Sequence, residues 1–309
     1  MTIQTERQFK AFYGINQVLF KRLLNVFLLL YLEIAESTYE ERKERYKNYG
    51  LTPRFREPNE LTVERNLKLL LHYLKAAPTY DVLGSIFGIQ QSSVQTIIED
   101  NLIILLAALD FLEVLPRRSF DSPEELETYM KKHQVEDLFI DATERSYKRS
   151  TDKEEQKKYF SGKKKGHKIK NTIICSASKY ILFIGLTFAG RSHDFSMLKV
   201  DFKTVIDWFK NFKIWIDLGY KGFDKNYTSK QTIIPHKKPR KSKNNPNPEL
   251  TSEQKQENKE MSSKRVIVEH AIGRMKVFRI LRDTYRGCHK MADWLIWAVG
   301  GLSNLKLTN

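Results

Sequence analysis

Cysteine is nearly absent from this 309-residue chain. Cys175 lies in an apolar, strand-like run and Cys288 near the C-terminus. Two thiols so placed exclude a disulfide framework and a cysteine zinc site, and they fit a reducing interior. His167, His193 and His270 form no H-x3-H or comparable zinc pattern. A membrane-spanning run is missing too. The longest apolar stretch near the N-terminus, VFLLLYLEIA, carries Glu33 and is about half the length needed to cross a bilayer. No basic segment with a small-residue cleavage site precedes it, so neither a secretion signal nor a membrane span is expected and the expected location is the cytoplasm. The first third also lacks positive charge. Residues 1–115 hold 13 Lys and Arg against 14 Asp and Glu, whereas 116–309 hold 40 against 23, so the net charge of +16 comes entirely from the C-terminal part. A field of that sign attracts polyanions, of which nucleic acid is the commonest large one, and lysine-rich loops kept for solubility are the bland alternative.

The chain is long enough for two domains, and its patterning changes near Pro116. Residues 7–35 have helical spacing, with Leu19, Leu23, Val26, Phe27 and Leu30 on one face, followed by a charged stretch that turns at Gly50. LTPRFREPNE reads as a loop, and Thr62 opens a second helix through LKLLLHYLKA. In TYDVLGSIFGIQQSSVQTIIEDN, the apolar face of Val82, Leu83 and Ile86, a turn at Gly88 and the face of Val94, Ile97 and Ile98 have the spacing of a helix-turn-helix. Its second helix would offer Gln90, Gln91, Ser92, Ser93 and Gln95 to a DNA groove. A structural helical hairpin has the same spacing, and the near-neutral charge of this part favours it.

From 116 to 309 strands and helices alternate. VEDLFIDATE and KIWIDLGYKGF are short apolar runs that meet Asp141 and Asp217, either as loop caps or as a pair of acids at one sheet edge. HKIKNTIICSASKYILFIGLTFAG reads as a hairpin of two long strands turning near Ala177–Lys179. SMLKVDFKTVIDWFK reads as a helix burying Met197, Leu198, Phe202, Val205, Ile206 and Phe209. The order strand, strand, strand, helix, strand is that of a ribonuclease H-like mixed sheet, which would set the first and fourth strands side by side and parallel. Residues of about 226–263 are polar and proline-dotted and read as a weakly structured insertion whose lysines and arginine (237, 238, 240, 241, 243) either track phosphates or stay solvated. In KRVIVEHAIGRMKVFRIL, a rotation of about 100 degrees per residue gathers Arg265, Glu269 and Lys276 at the edge of an apolar stripe. That glutamate either looks into a site beside the sheet or makes a surface pair with Arg265.

Asp141, Asp217 and Glu269, spaced by 76 and 52 residues, resemble the acid triad of DDE-superfamily transposases of the insertion sequence 5 type, related to Harbinger elements. The resemblance covers about residues 60–305. It rests on the ordered blocks FIDATE, YFSGKKKGHKIKN, GRSHD, DLGYKGF, RVIVEHAIGRMK and GLSNLKL and on Arg-x3-Glu-x6-Lys around the third acid. It implies an α/β protein: an N-terminal all-helical helix-turn-helix domain, 1–115, and a ribonuclease H-like catalytic domain, 116–309. It also implies transposition of double-stranded element ends into target DNA by a homodimer or larger synaptic assembly, nucleoid-associated in a prokaryote. Two divalent ions, Mg or Mn, would be held by Asp141, Asp217 and Glu269 for in-line phosphodiester cleavage and strand transfer. Lys163, Lys164, Lys165, Lys168, Arg265 and Lys276 would hold DNA phosphates, with Glu144, His193 and Asp194 as accessory groups or caps. A catalytically silent DNA-binding descendant and a metal-dependent endonuclease without strand transfer are the competing expectations.

Overall fold

The computed structural model describes residues 5–50, 52–53, 62–241 and 246–308. The loop expected over 51–60 lies, apart from Thr52 and Pro53, outside these residues, as does Lys243. The chain packs as two compact units, one from the described residues of Met1–Pro116, Arg145–Lys148 and Arg274–Asn309, the other from Arg117–Glu144 and Arg149–Gly273. The first break between the units falls after Pro116, and residues 274–309 pack with the first unit rather than with residues 149–273, which they follow in sequence.

The first unit is helical. The single periodic stretch expected over 7–35 is two helices, α1 (Glu6–Tyr13) and α2 (Gln17–Glu36). They part at Gly14, which caps α1 with φ 84°, a conformation that costs glycine nothing. Helix α3 (Tyr39–Arg45) follows behind a Thr38–Glu41 capping box. Helix α4 (Val63–Ala76) starts where Thr62 accepts the Arg65 N–H. Helix α5 (Tyr80–Phe87) ends at Gly88, and α6 (Gln91–Phe111) begins three residues later. Helix α6 is buried from Asn101 to Leu109 and packs against α2, α4 and α5. Of the face assigned to α5, only Leu83 is buried, with Val82 and Ile86 exposed.

The second unit begins with α7 (Pro123–Lys132), which carries Ser122 as cap, proline in the first turn, Glu124 and Glu125 next, and Lys131 and Lys132 last, all in agreement with the helix dipole. Strand β1 (Asp137–Ser146), helix α8 (Lys153–Tyr159) and strands β2 (Phe160–Ser161), β3 (Gly166–Cys175), β4 (Ile181–Ile184) and β5 (Phe188–Ala189) come next. The expected hairpin is present, with Lys179 in the left-handed region at its turn. Its second arm is two short strands, β4 and β5, both antiparallel to β3. Helix α9 (Asp194–Asp201) stops well short of the helix expected over SMLKVDFKTVIDWFK. Phe202 turns extended, and the chain instead buries Phe202, Trp208, Phe209 and Phe212 through successive turns while Val205 is 89% exposed. Aromatic burial here overrides a weak helical preference, which the run Thr204, Val205, Ile206 lowers further.

Strand β6 (Lys213–Trp215) lies parallel to β1, and β7 (Gln231–Ile233) lies parallel to β6, completing the order β2-β3-β1-β6-β7. β7 falls within the stretch expected to be weakly structured, and so does the first half of α10 (Ser252–Met275). A polar sequence forms this helix because Thr251 and Gln254 make a reciprocal capping box and its Gln, Glu and Lys residues are good helix formers. His236 and Asn258 bond in both directions, tying the preceding loop to α10. Leu138, Ile140, Ile214 and Ile216 bury one sheet face with Leu126 and Met130 of α7 and Phe195 and Leu198 of α9.

The first unit is completed by α11 (Arg279–Arg282) and α12 (His289–Leu305), which packs on α6. Buried Asn304 donates to Val114 O at 3.0 Å and Trp297 to Pro116 O at 2.7 Å. The terminal GLSNLKL block is thus part of the helical core. Among the described residues no helix is long and apolar enough to cross a membrane.

Candidate active site

Strands β1 and β6 are in register at Asp137 and Lys213, Leu138 and Ile214, Phe139 and Trp215. The same offset carries Asp141 to Asp217, so the pairing that buries the core also brings the two acids level. Side chains alternate across a sheet, which sets both acids on the face where Phe139 and Trp215 stack at 5.6 Å, opposite Leu138 and Ile140. Asp141 does not end its strand, as the sequence suggested. β1 continues to Ser146 because Thr143 and Arg145 are buried in turn. Asp217 lies two residues past Trp215, the last residue of β6, and its Oδ1 accepts the Gly219 N–H at 2.7 Å to start the turn Leu218–Tyr220. The loop-cap reading of Asp217 is therefore met without removing its second oxygen from the site. A β-carbon at Gly219 would lie 2.8 Å from that oxygen and 3.5 Å from Asp194 Oδ2, which accounts for glycine at this point of DLGYKGF.

Burial pushes the Asp141 carboxyl up from 3.8 to about 6. The Ala142 N–H, which donates at 2.8 Å, and the Arg265 charge pull it down, and the charges of Asp217 and Asp194 push it up. Arg265 comes from α10, whose Lys264 lies 5.3 Å over the Trp215 ring. Glu269, one turn after Arg265, is exposed. Tyr220 is fully buried and its hydroxyl has no hydrogen-bond partner among the described residues. Burial, then the charges of Asp141, Asp194, Asp217 and Asp201, hold it well above the ordinary phenol value, so it is a hydrogen-bond donor at any working pH. Lys170 on β3 bridges Asp194 at 3.0 Å and Glu144 at 3.2 Å, joining β1, β3 and the first turn of α9. Burial lowers the Lys170 ammonium, but the bonds and charges of these two acids outweigh it and raise it overall.

Among the described residues no three Asp, Glu, His or Cys side chains enclose a metal site. The donor set nevertheless suits a hard cation held on an open side. Two carboxylates lie level, a third lies close by, and a buried hydroxyl has no partner, an arrangement that leaves room for waters and substrate oxygens. Residues 140–304 match the family model described as DDE superfamily endonuclease. The chain belongs to this superfamily. It is also 27% identical, over 98% of its length and 95% of the other protein, to a probable transposase for insertion sequence element IS702 from Microchaete diplosiphon. No solved structure matches it.

The remaining expected site residues are distributed unevenly. Lys163, Lys164 and Lys165 are exposed in the β2–β3 turn, and Lys168 is half-buried on β3. His193 is the exposed N-cap residue of α9 and makes no side-chain cap bond. Asp194 is the first residue of α9 and Glu144 lies on β1, neither acting as a cap. Lys276 directly follows the end of α10 at Met275, and Phe278 is buried in the first unit, where it meets Gly14. In the first unit Gln90, Gln91, Ser92 and Gln95 are exposed at the start of α6, Ser93 is half-buried, and Gln95 donates to Glu99. Lys170 went unrecognised in the sequence, and Tyr220 reads there as loop packing after Asp217. A lysine inside the strand-like run HKIKNTIIC is the only available sign of Lys170, and the Asp-x2-Tyr spacing after β6 that of Tyr220.

Proposed function

We propose that the protein is a DDE transposase of the insertion sequence 5 type, with a ribonuclease H-like catalytic domain and a helix-turn-helix made by α5 and α6. The observation that carries this reading is the parallel register that brings Asp141 level with Asp217, beside Arg265, in a member of the DDE endonuclease superfamily. The full-length similarity to a probable transposase supports it further. Asp141 and Asp217 would hold divalent cations, Mg or Mn, with Glu269 as the third carboxylate. It shares a helix face with Arg265, as residues four apart do. Such cations, when bound, stabilise charge on the attacking and leaving oxygens of a phosphodiester. Arg265 lies where it offsets negative charge at Asp141 and receives a phosphate oxygen. Tyr220 directs its O–H into the cluster of acids and orients an oxygen there. Lys170 pairs with both Asp194 and Glu144 and offsets part of the negative charge they would present to DNA. The lysines of the β2–β3 turn contact the backbone, and Gln90, Gln91, Ser92, Ser93 and Gln95 present donors and acceptors to a groove.

The test is incubation of the full chain with DNA bearing the element's terminal repeats and a target duplex, with Mg or Mn. Cut ends joined to target are expected. Cutting without joining would identify an endonuclease, and retention of DNA without cutting a silent binder.

A further inference from the structure

The second unit carries a cleft of about 800 Å³ outside the carboxylates, formed where α8 meets the β2–β3 hairpin. That volume falls within the roughly 300–1,000 Å³ of small-ligand clefts. Phe160, 44% exposed, forms part of its wall. His167 faces Phe160 across the antiparallel pair, the two rings 5.9 Å apart and nearly perpendicular. Arg149, Lys157, Lys165 and Arg191 line the same cleft, and among the described residues no Asp or Glu does. The guanidinium of Arg149 is held in place, donating to Gln156 Oε1 at 3.2 and 3.1 Å, while the Gln156 amide donates to Ser150 O at 2.9 Å. The Arg191 backbone is fastened by its N–H to Lys158 O at 3.2 Å.

Cations alone suffice to bind a duplex backbone, which presents phosphates outward and keeps its bases stacked. An exposed aromatic wall among those cations adds what a duplex cannot use. An unstacked base can lie against it while its phosphates meet the cations. We propose that this cleft binds an unpaired nucleotide of the DNA substrate, with the base against Phe160 and His167 and the phosphates on Arg149, Lys165 and Arg191. The inference rests on the reading of the protein as a DNA transposase and adds a site apart from Asp141, Asp217 and Glu269.

The shared ligand chemistry, an aromatic base with phosphate, is found both in a DNA strand and in free nucleotides. Titrations of the full chain with a paired duplex, the same duplex with one bulged nucleotide, and deoxyadenosine monophosphate separate the two. The wild type should favour the bulged duplex by about tenfold, in keeping with a single base–aromatic stack. Phe160→Leu, which keeps apolar bulk without the aromatic face, should abolish that preference and leave paired-duplex affinity within about twofold. Phe160→Trp should keep it, which guards against a simple folding defect. Arg191→Ala should weaken the bulged duplex more than the paired one. Equal affinity of the wild type for both duplexes, or equal losses on both in Phe160→Leu, would overturn the site while leaving the transposase reading intact. Free nucleotide bound as tightly as the bulged DNA would assign the cleft to mononucleotides instead. If no DNA is bound at all, the transposase reading itself has failed.

Discussion

Asp141 states the chemistry of the site in a single titration. Its carboxyl is raised from 3.8 to about 6, mostly by burial. Between those values the unfolded chain releases a proton that the folded chain keeps. The contribution to stability is therefore full below about pH 4 and lost as pH rises through about 6. The rise corresponds to about 3 kcal/mol against the ionised form, reduced to about 2 kcal/mol by the partial exposure of the group. Asp141→Asn should accordingly stabilise the metal-free protein at pH 7 by about 2 kcal/mol and show no gain at pH 4, measured by urea unfolding in a chelator. A variant less stable than wild type at pH 7 would contradict this. Tyr220 gives the complementary case. A buried hydroxyl without a partner costs roughly 1–3 kcal/mol, so Tyr220→Phe should raise stability by about 1 kcal/mol and lower cleavage by about tenfold. Unchanged cleavage would reduce Tyr220 to packing. The two aspartates were legible in the sequence because apolar runs lead straight into them. Tyr220 reads in the sequence only as loop packing, since the three-residue step from Asp217 hides a turn that buries its hydroxyl within the field of Asp141, Asp194, Asp217 and Asp201.

Elements succeeded or failed as sequence signals according to what decided them. Capped, strongly periodic segments such as α4, with Thr62 ahead of its apolar stripe, were readable from local chemistry. The helix expected through Val205 was not formed, because tertiary burial of Phe202, Trp208 and Phe209 prevailed over local preference. The polar start of α10 was missed for the opposite reason: its helix depends on capping and propensity and has no apolar period to show. Pairing of β1 with β6 could be expected from strand order, whereas the ion triad of Glu144, Lys170 and Asp194 joins β1, β3 and α9 and has no signature within any one of them. Lys170→Met would leave two acids facing each other at sites with little solvent. The expected loss is about 3 kcal/mol of stability, seen as a lower urea midpoint at neutral pH, with part of it recovered on acidification. No loss would mean that the acids separate freely and that the triad does not join these elements.

At the scale of the whole molecule, the charge boundary and the packing boundary do not coincide. All the positive excess follows residue 115, yet α12 belongs to the helical unit with α6. A fragment beginning at residue 116 would strip α12 of the α6 face it packs on, and its aggregation would say nothing about DNA. Binding should therefore be measured on the full chain, where the logarithm of affinity for random duplex is expected to fall linearly and steeply with the logarithm of salt concentration. A flat dependence would mean that the lysines are solvated decoration.

The proposal that Asp141, Asp217 and Glu269 together hold the cations of one cutting centre is tested most directly by parallel cleavage assays on element-end DNA in Mg or Mn. Asp141→Asn, Asp217→Asn and Glu269→Gln keep side-chain shape and remove the charge a hard cation requires. Each should abolish cleavage while retaining DNA binding, and Asp194→Asn and Glu144→Gln should lose markedly less. Normal cleavage by Glu269→Gln together with loss in Asp194→Asn would contradict the account and move the third carboxylate from α10 to the first turn of α9.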